Sequence, residues 1–546
     1  MGTVGLVLAM LAAVILSGLV ARALPFNLPR PMVQIGFGAF IGAVSGTPVK
    51  LDPDVFFLLF LPPLLFLDGW RIPNEGLRRD RGLILQLALG LVFFTVLGMG
   101  FFIHWMIPAI PLPAAFALAA IVSPTDPVAV SAITARVPIP PRVMHRLEGE
   151  SLLNDASGLV CFRFAVAAVM TGTFSLGRAS LTLLQLAVGG LLIGVAVTSG
   201  IAWLKDVISR RLGEEAGSQV LVSLLIPFAA YEAAELLDCS GILAAVAAGI
   251  TMSHAELSGR ALAITRMQRT AVWDTLQYAL NGVMFVLLGE QLPGILAGTV
   301  LVVRQSNHVS PWWLLAYVVA INFGLAVLRF VWVWISTRLS ELAAALRGMP
   351  PPEKADLRLL AVVSLAGVRG AITLAGVLTL PLALPNGSAF PARELVIFLA
   401  AGVIILSLLA ASIALPRLLH GVQPPAEGPH EAELDRARVI AAQAAIRAIE
   451  ETQHDLARGQ SRADLFAEAA SRIMELYRRR IQGDVRLGGE DAERIRQSED
   501  IGRQLRIAGL RAERDAIFAL ARRYEISDAT SRRLVREIDL LEERLK

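Results

Sequence analysis

Ionisable side chains inside apolar stretches are where this 546-residue chain could do chemistry, because a charge in a hydrocarbon environment is costly and each one there is a candidate functional group. Five stand out: Asp68, Asp126, Glu150, Asp155 and Arg369. The densest group is Glu148-Gly-Glu-Ser-Leu-Leu-Asn-Asp-Ala-Ser-Gly158. On a helix, Glu150, Ser151, Asn154 and Asp155 fall within an arc of about 140°, a polar stripe along an apolar rod. Such a stripe faces protein or water. A polar helix contact would account for the serine and asparagine but not for two carboxylates, and those two point to an ion or proton site.

A second group is Ser123-Pro-Thr-Asp-Pro-Val128, in which two prolines three residues apart each delete a helical hydrogen bond and clash with the preceding turn. The helix should break there, exposing dipole ends and free carbonyls beside Thr125 and Asp126, one way of building an ion site in a membrane. Asp126 either caps the freed amides or touches the ion, and the two roles are compatible. The third group is Ala366-Gly-Val-Arg-Gly-Ala-Ile-Thr373, small residues around a charge. A buried Arg369 needs an anionic partner, and Glu150 is the expected one. Asp68 follows Leu61-Pro-Pro-Leu-Leu-Phe-Leu67 and is either a boundary residue or a second cation contact. Arg163, Arg329, Glu232, Glu235 and Glu290 lie nearer the ends of their apolar runs and are expected to be interface or helix-pairing charges.

The elements that position these groups are helices long enough for a bilayer. The chain is 55% hydrophobic and 18% charged, against about half and a quarter in average soluble domains, which excludes a purely soluble enzyme. Thirteen apolar runs of roughly membrane length occur, at 3–22, 31–48, 54–70, 83–106, 112–135, 147–171, 181–204, 218–237, 240–254, 272–291, 311–336, 357–380 and 394–416. The first lacks a basic residue before it and is too long for a signal peptide, so it is expected to be a retained span. With the amino terminus outside, the inward connections hold nineteen Lys and Arg against four in the outward ones, as positive-inside topology requires. The broken helices are the fifth and twelfth spans, seven apart and so opposite in direction, the pattern of an inverted-repeat transporter.

Residues 421–546 differ in composition, with 23 Lys and Arg and 24 Asp and Glu. Their mixed charge predicts a helical cytoplasmic domain, joined to a membrane domain of residues 1–420 through Gly421-Val-Gln-Pro-Pro425. A net charge of +4, none of it from this tail, gives no sign of nucleic-acid binding. Cys161 and Cys239 show neither metal-ligand nor disulfide spacing. No glycine fingerprint for a nucleotide follows a strand, and no His-Glu-x-x-His or Gly-x-Gly-Asp supports an intramembrane protease.

Taken together, Leu-Pro-Pro-Leu-Leu-Phe before Asp68, Ser-Pro-Thr-Asp-Pro at 123–127, Glu-Ser-Leu-Leu-Asn-Asp at 150–155 and Gly-Val-Arg-Gly-Ala at 367–371 resemble the monovalent cation:proton antiporter family in its electroneutral Na+/H+ exchanger branch. The similarity runs over about residues 1–420. The resemblance implies an all-α polytopic fold with about thirteen spans, two inverted repeats and two broken, crossing helices. It implies a homodimer in the plasma membrane. It also implies that Asp155 binds cation or proton in alternation, with Asn154 as its neutral neighbour. Glu150 and Arg369 match the family's buried ion pair, while Thr125, Asp126 and Ser151 match groups around a bound Na+. Asp68 stands where some members carry a glutamate near the site.

The expected function is therefore one-for-one, electroneutral Na+/H+ exchange by competition for Asp155, without ATP or any cofactor, serving pH and Na+ homeostasis. Li+ or K+ are alternative cargo, since the same oxygens bind each. A K+/H+ exchanger on the same fold is the runner-up, followed by a channel gated by the tail, which two broken helices suit less well.

Overall fold

A computed structural model describes residues 3–23, 28–45, 53–71, 90–126, 130, 141–172, 176–213, 215–256, 263–305, 312–346 and 357–420 of the apolar body. In the tail it describes residues 428–457, 467–475, 477–478, 505–507, 509–520, 523 and 528–543. The chain divides into two compact units, Met1–Gln423 and Pro424–Lys546, close to the boundary read from composition.

Among the described residues, the first unit is helical in its apolar runs apart from two interruptions. In chain order it contains α1 (Thr3–Ala23), α2 (Arg30–Ser45), α3 (Pro53–Arg71), α4 (Leu91–Met106), α5 (Leu112–Val122), α6 (Pro141–Thr171) and α7 (Leu176–Leu212). There follow α8 (Ala216–Glu235), α9 (Gly241–Glu256), α10 (Ala263–Gln305), α11 (Trp312–Leu346), α12 (Leu357–Leu365), α13 (Ala371–Leu378) and α14 (Arg393–Leu419). Among the described residues, six stretches are long and apolar enough to cross a membrane: Gly5–Ala23, Gln185–Arg211, Ala216–Glu235, Thr265–Gly298, Trp312–Leu339 and Arg393–Leu419. Their outer faces carry leucine, valine and isoleucine, as in Leu8, Ile15, Leu192 and Leu225, which suits lipid rather than water as the surrounding solvent. Exposed Trp105, Trp312 and Trp313 sit at helix ends, where amphipathic rings favour the membrane interface.

Packing separates these helices into neighbourhoods. α2 lies along α10, α3 along α9, and α9 also along α7; α4 and α6 flank α5, and α14 joins α10, α11 and α13. The closest approaches use glycine because no hydrophobic force draws helices together in lipid and small residues gain the contact instead. A Cβ on Gly38 would overlap the Val286 carbonyl, and one on Gly249 would overlap the Phe66 carbonyl.

The fifth and twelfth apolar runs are both interrupted, as the prolines and glycines predict. α5 ends at Val122, and Ser123 to Asp126 continue without helix; Pro127, the second proline of the pair, lies outside the described residues. In the twelfth run, Ala366–Gly370 separate α12 from α13. The two interruptions meet: the Asp126 amide donates to the Val368 carbonyl at 2.7 Å. A hydrogen bond between two breaks satisfies backbone groups that lipid could not.

In the second unit, α15 (Gly428–Ala457) and α16 (Asp528–Glu543) are helical. Arg514 bridges Asp539 at 3.1 Å and also pairs with Glu542, two carboxylates on α16.

Candidate functional site

α6 brings its polar stripe against the break after α5. The Ser151 hydroxyl donates to the Thr125 carbonyl at 2.9 Å, and the Asn154 amide donates to Thr125 Oγ1 at 3.1 Å. Gly158, two turns on from Ser151, allows this approach, since a Cβ there would overlap Pro124. Asp155 is buried with the stripe, at 6% exposure, and its electrostatic neighbours are two further carboxylates, Asp126 and Asp68. Among the described residues, the buried Oδ1 of Asn154 and Oγ of Ser123 find no hydrogen-bond partner. Three carboxylates around one locus repel each other unless a cation or proton joins them. The spare oxygens beside them are the hard donors a monovalent cation takes.

Asp126 also lies against the amino end of α13. A Cβ added to Gly370, its N-cap, would run into the Asp126 carboxylate. An anion there is favoured by the helix dipole, so the capping and ion-binding roles considered for this residue share one place.

Glu150 has a different partner from the one expected. The Arg329 guanidinium holds its carboxylate with both nitrogens, Nη1 to Oε1 at 2.5 Å and Nη2 to Oε2 at 2.8 Å. Arg369 instead donates from Nε to the Val122 carbonyl at 2.9 Å and from Nη1 to the Gly367 carbonyl, with Glu150 and Arg329 as electrostatic neighbours. The expected Glu150–Arg369 pair is therefore replaced by Glu150–Arg329, and of the two roles expected for Arg329, interface or helix-pairing charge, it takes the second, at the middle of its helix. The physical reason is helix length: α11 runs ten residues beyond the apolar stretch that ends at 336, so Arg329 sits at its middle. Arg369 meets the carboxyl ends of two interrupted helices, where carbonyls lack intrahelical donors and the dipoles favour a cation. Glu290, also read as an interface or helix-pairing charge, is buried at 1% exposure within α10. Arg163 and Glu235, 3.5 Å apart and partly exposed, do pair two helices.

Thr125, Ser151, Asn154, Asp155, Asp126 and Asp68 thus lie in one neighbourhood, with Glu150, Arg329 and Arg369 beside it. The signal that would have found Arg329 is an arginine eighteen residues into a continuous helix, with its nearest flanking charges at Arg304 and Arg338.

Membrane helices that break and meet beside buried carboxylates define a class, the ion-transporting polytopic membrane proteins, in which interrupted helices supply the binding groups. The chain belongs to the transmembrane sodium/hydrogen exchanger family, whose profile matches residues 8–421. It is 40% identical to the uncharacterized Na(+)/H(+) exchanger YjcE of Escherichia coli over 98% of this chain and 97% of that one. It is 45% identical to a sodium, potassium, lithium and rubidium/H(+) antiporter of Bacillus pumilus, over 76% of this chain and 60% of the relative. A Bacillus subtilis protein of the same description is 37% identical over 98% of this chain and 77% of its own length. The fold is similar to that of the sodium proton antiporter MjNhaP1 from Methanocaldococcus jannaschii, with a TM-score of 0.56 at 18% identity, covering 77% of this chain and 99% of that structure. The family is one of antiporters, which move ions without transforming a substrate.

Proposed function

We propose that the protein exchanges Na+ for H+ across the plasma membrane by alternating access, one for one and without net charge movement. The observation that carries this is the lone aspartate of the polar stripe, Asp155, buried with a neutral asparagine beside it, while the stripe's glutamate, Glu150, is engaged by Arg329. Asp155 holds Na+ or H+ but not both. Crossing with neither leaves an uncompensated charge in a low-dielectric interior, so empty transitions are suppressed and the two fluxes are coupled. Asp126, Thr125, Ser151 and Asn154 supply the remaining oxygens around the cation, and Asp68 adds a nearby negative charge. The Arg329 guanidinium neutralises the Glu150 carboxylate, and the Arg369 guanidinium lies against the helix-end carbonyls. Only one charge then changes occupancy per cycle.

The same proposal takes thirteen spans in two inverted repeats, an outside amino terminus and a homodimer in lipid. Residues 1–420 form the exchanger domain and residues 421–546 a cytoplasmic regulatory tail. The test is Na+-driven proton flux in proteoliposomes. Flux that survives Asp155→Ala refutes the mechanism.

A second reading concerns cargo. Two Bacillus relatives are described as sodium, potassium, lithium and rubidium/H(+) antiporters, which favours a site that accepts several monovalent cations, K+ included. Scanning Na+, Li+, K+ and Rb+ in the same vesicles decides between a narrow and a broad site.

A further inference from the structure

The last turn of α3 sends its side chains in two directions. The Trp70 indole N–H donates to Glu256 Oε2 at 2.7 Å. The buried Arg269 guanidinium lies over the same indole, 5.7 Å from the ring centre, and pairs with Glu256 Oε1 at 2.6 Å. Phe66, one turn earlier, stacks on Trp273 with centroids 5.2 Å apart, and the Trp273 N–H donates to Ser223 Oγ at 3.2 Å. Arg71 reaches Gln277 at 2.7 Å and also pairs with Asp274. The backbones of α3 and α9 touch through Gly69 and Gly249, where a Cβ on either would overlap the facing main chain. α3 is therefore tied to α8, α9 and α10 against both sliding and rotation.

Asp68 lies on the other side of this helix. At 100° per residue it is about 150° from the centre of the Phe66, Gly69 and Trp70 face. α3 also packs against α6, and Asp68 is one of the carboxylates acting on Asp155. With Arg269 buried and Glu256 partly exposed, the pair is a poor choice for stability alone, since removing a guanidinium from water costs much of what the pairing returns. Its distinctive property is orientation: a charge-assisted pair closed over an indole N–H accepts few geometries.

We propose that Trp70, Glu256 and Arg269 form a positioning clamp for Asp68. By holding the rotation of α3, the clamp keeps the Asp68 carboxylate directed at the Asp155 site, where its charge draws and holds the incoming cation. The residues of the clamp touch no cargo and act through Asp68. This rests on Asp155 being the exchange site.

The test is a mutant cycle read as apparent KM for Na+ and maximal rate of proton flux in proteoliposomes. Glu256→Gln keeps an acceptor for the indole but frees Arg269; Trp70→Phe keeps a ring but removes the N–H. Each is expected to raise KM about three- to tenfold, within the coupling range of residues in one network, with maximal rate held within about twofold. In an Asp68→Asn background the same substitutions are expected to leave KM unchanged. If Glu256→Gln fails to reach the membrane, Trp70→Phe carries the same expectation. Effects that add to those of Asp68→Asn, or a lost maximal rate at constant KM, overturn the clamp while unaltered protein still exchanges. Absence of cation-driven flux in the unaltered protein overturns the exchange mechanism and the clamp with it.

Discussion

Replacing Arg329 with methionine removes a guanidinium and keeps most of its volume, leaving the Glu150 carboxylate buried without its fork. Both side chains are almost inaccessible, 3% and 2% exposed, and both nitrogens of the fork are engaged at 2.5 and 2.8 Å. Removing one partner of such a pair costs about 3–5 kcal/mol, which is roughly two to four powers of ten in the folded-to-unfolded ratio. Glu150→Gln removes the stranded charge, so the double variant Glu150→Gln, Arg329→Met is expected to recover most of that loss. Arg369→Met leaves two carbonyls without their donor, a separate cost of about 1–3 kcal/mol each, and Glu150→Gln is not expected to relieve it. The assay is thermal and chemical unfolding of purified protein in nanodiscs for the three single variants and for the two doubles that combine Glu150→Gln with each arginine substitution. A coupling energy between Glu150 and Arg369 as large as that between Glu150 and Arg329 would refute the assigned pairing.

Four further outcomes follow from the site. Under the proposed competition of protons and Na+ for Asp155, the apparent KM for Na+ is expected to fall as pH rises; a KM independent of pH in proteoliposome flux would contradict shared occupancy. Asn154→Asp places a titratable group beside Asp155 and is expected to make exchange respond to an imposed membrane voltage, whereas the proposed electroneutral exchange of the unaltered protein is expected not to. Gly370→Ala drives a Cβ into the Asp126 carboxylate, an overpacking cost of about 1–3 kcal/mol, and is expected to cut transport at least tenfold; Gly5→Ala, with open space around it, is the matched control. Deleting residues 426–546 is expected to shift the pH profile of exchange, and a profile left unchanged would argue against regulation by the tail.

Much of this protein was legible without coordinates, for reasons that act locally. An ionisable residue in an apolar run is expensive wherever the run ends up, so Asp126, Glu150 and Asp155 declared themselves by type and position. A proline inside a helix deletes a hydrogen bond whatever surrounds it, so the break after Val122 was predictable, and the polar stripe of α6 follows from helical period alone. The composition shift near residue 421 separated the two units for the same kind of reason. Tertiary structure decided which groups meet. Glu150 and Arg329 are 179 residues apart, and Asp126 and Val368 meet across more than half of the apolar body. No spacing rule selects Arg329 over Arg369, since both are arginines in apolar runs and only the packing of α11 and the course of two interrupted helices separate their partners. The direction of Asp68 was likewise hidden: its helix phase is written in the sequence, but the face that is tied down depends on Glu256 and Arg269 arriving from other helices. Local cost names the groups that must be used, and packing chooses the partners that use them.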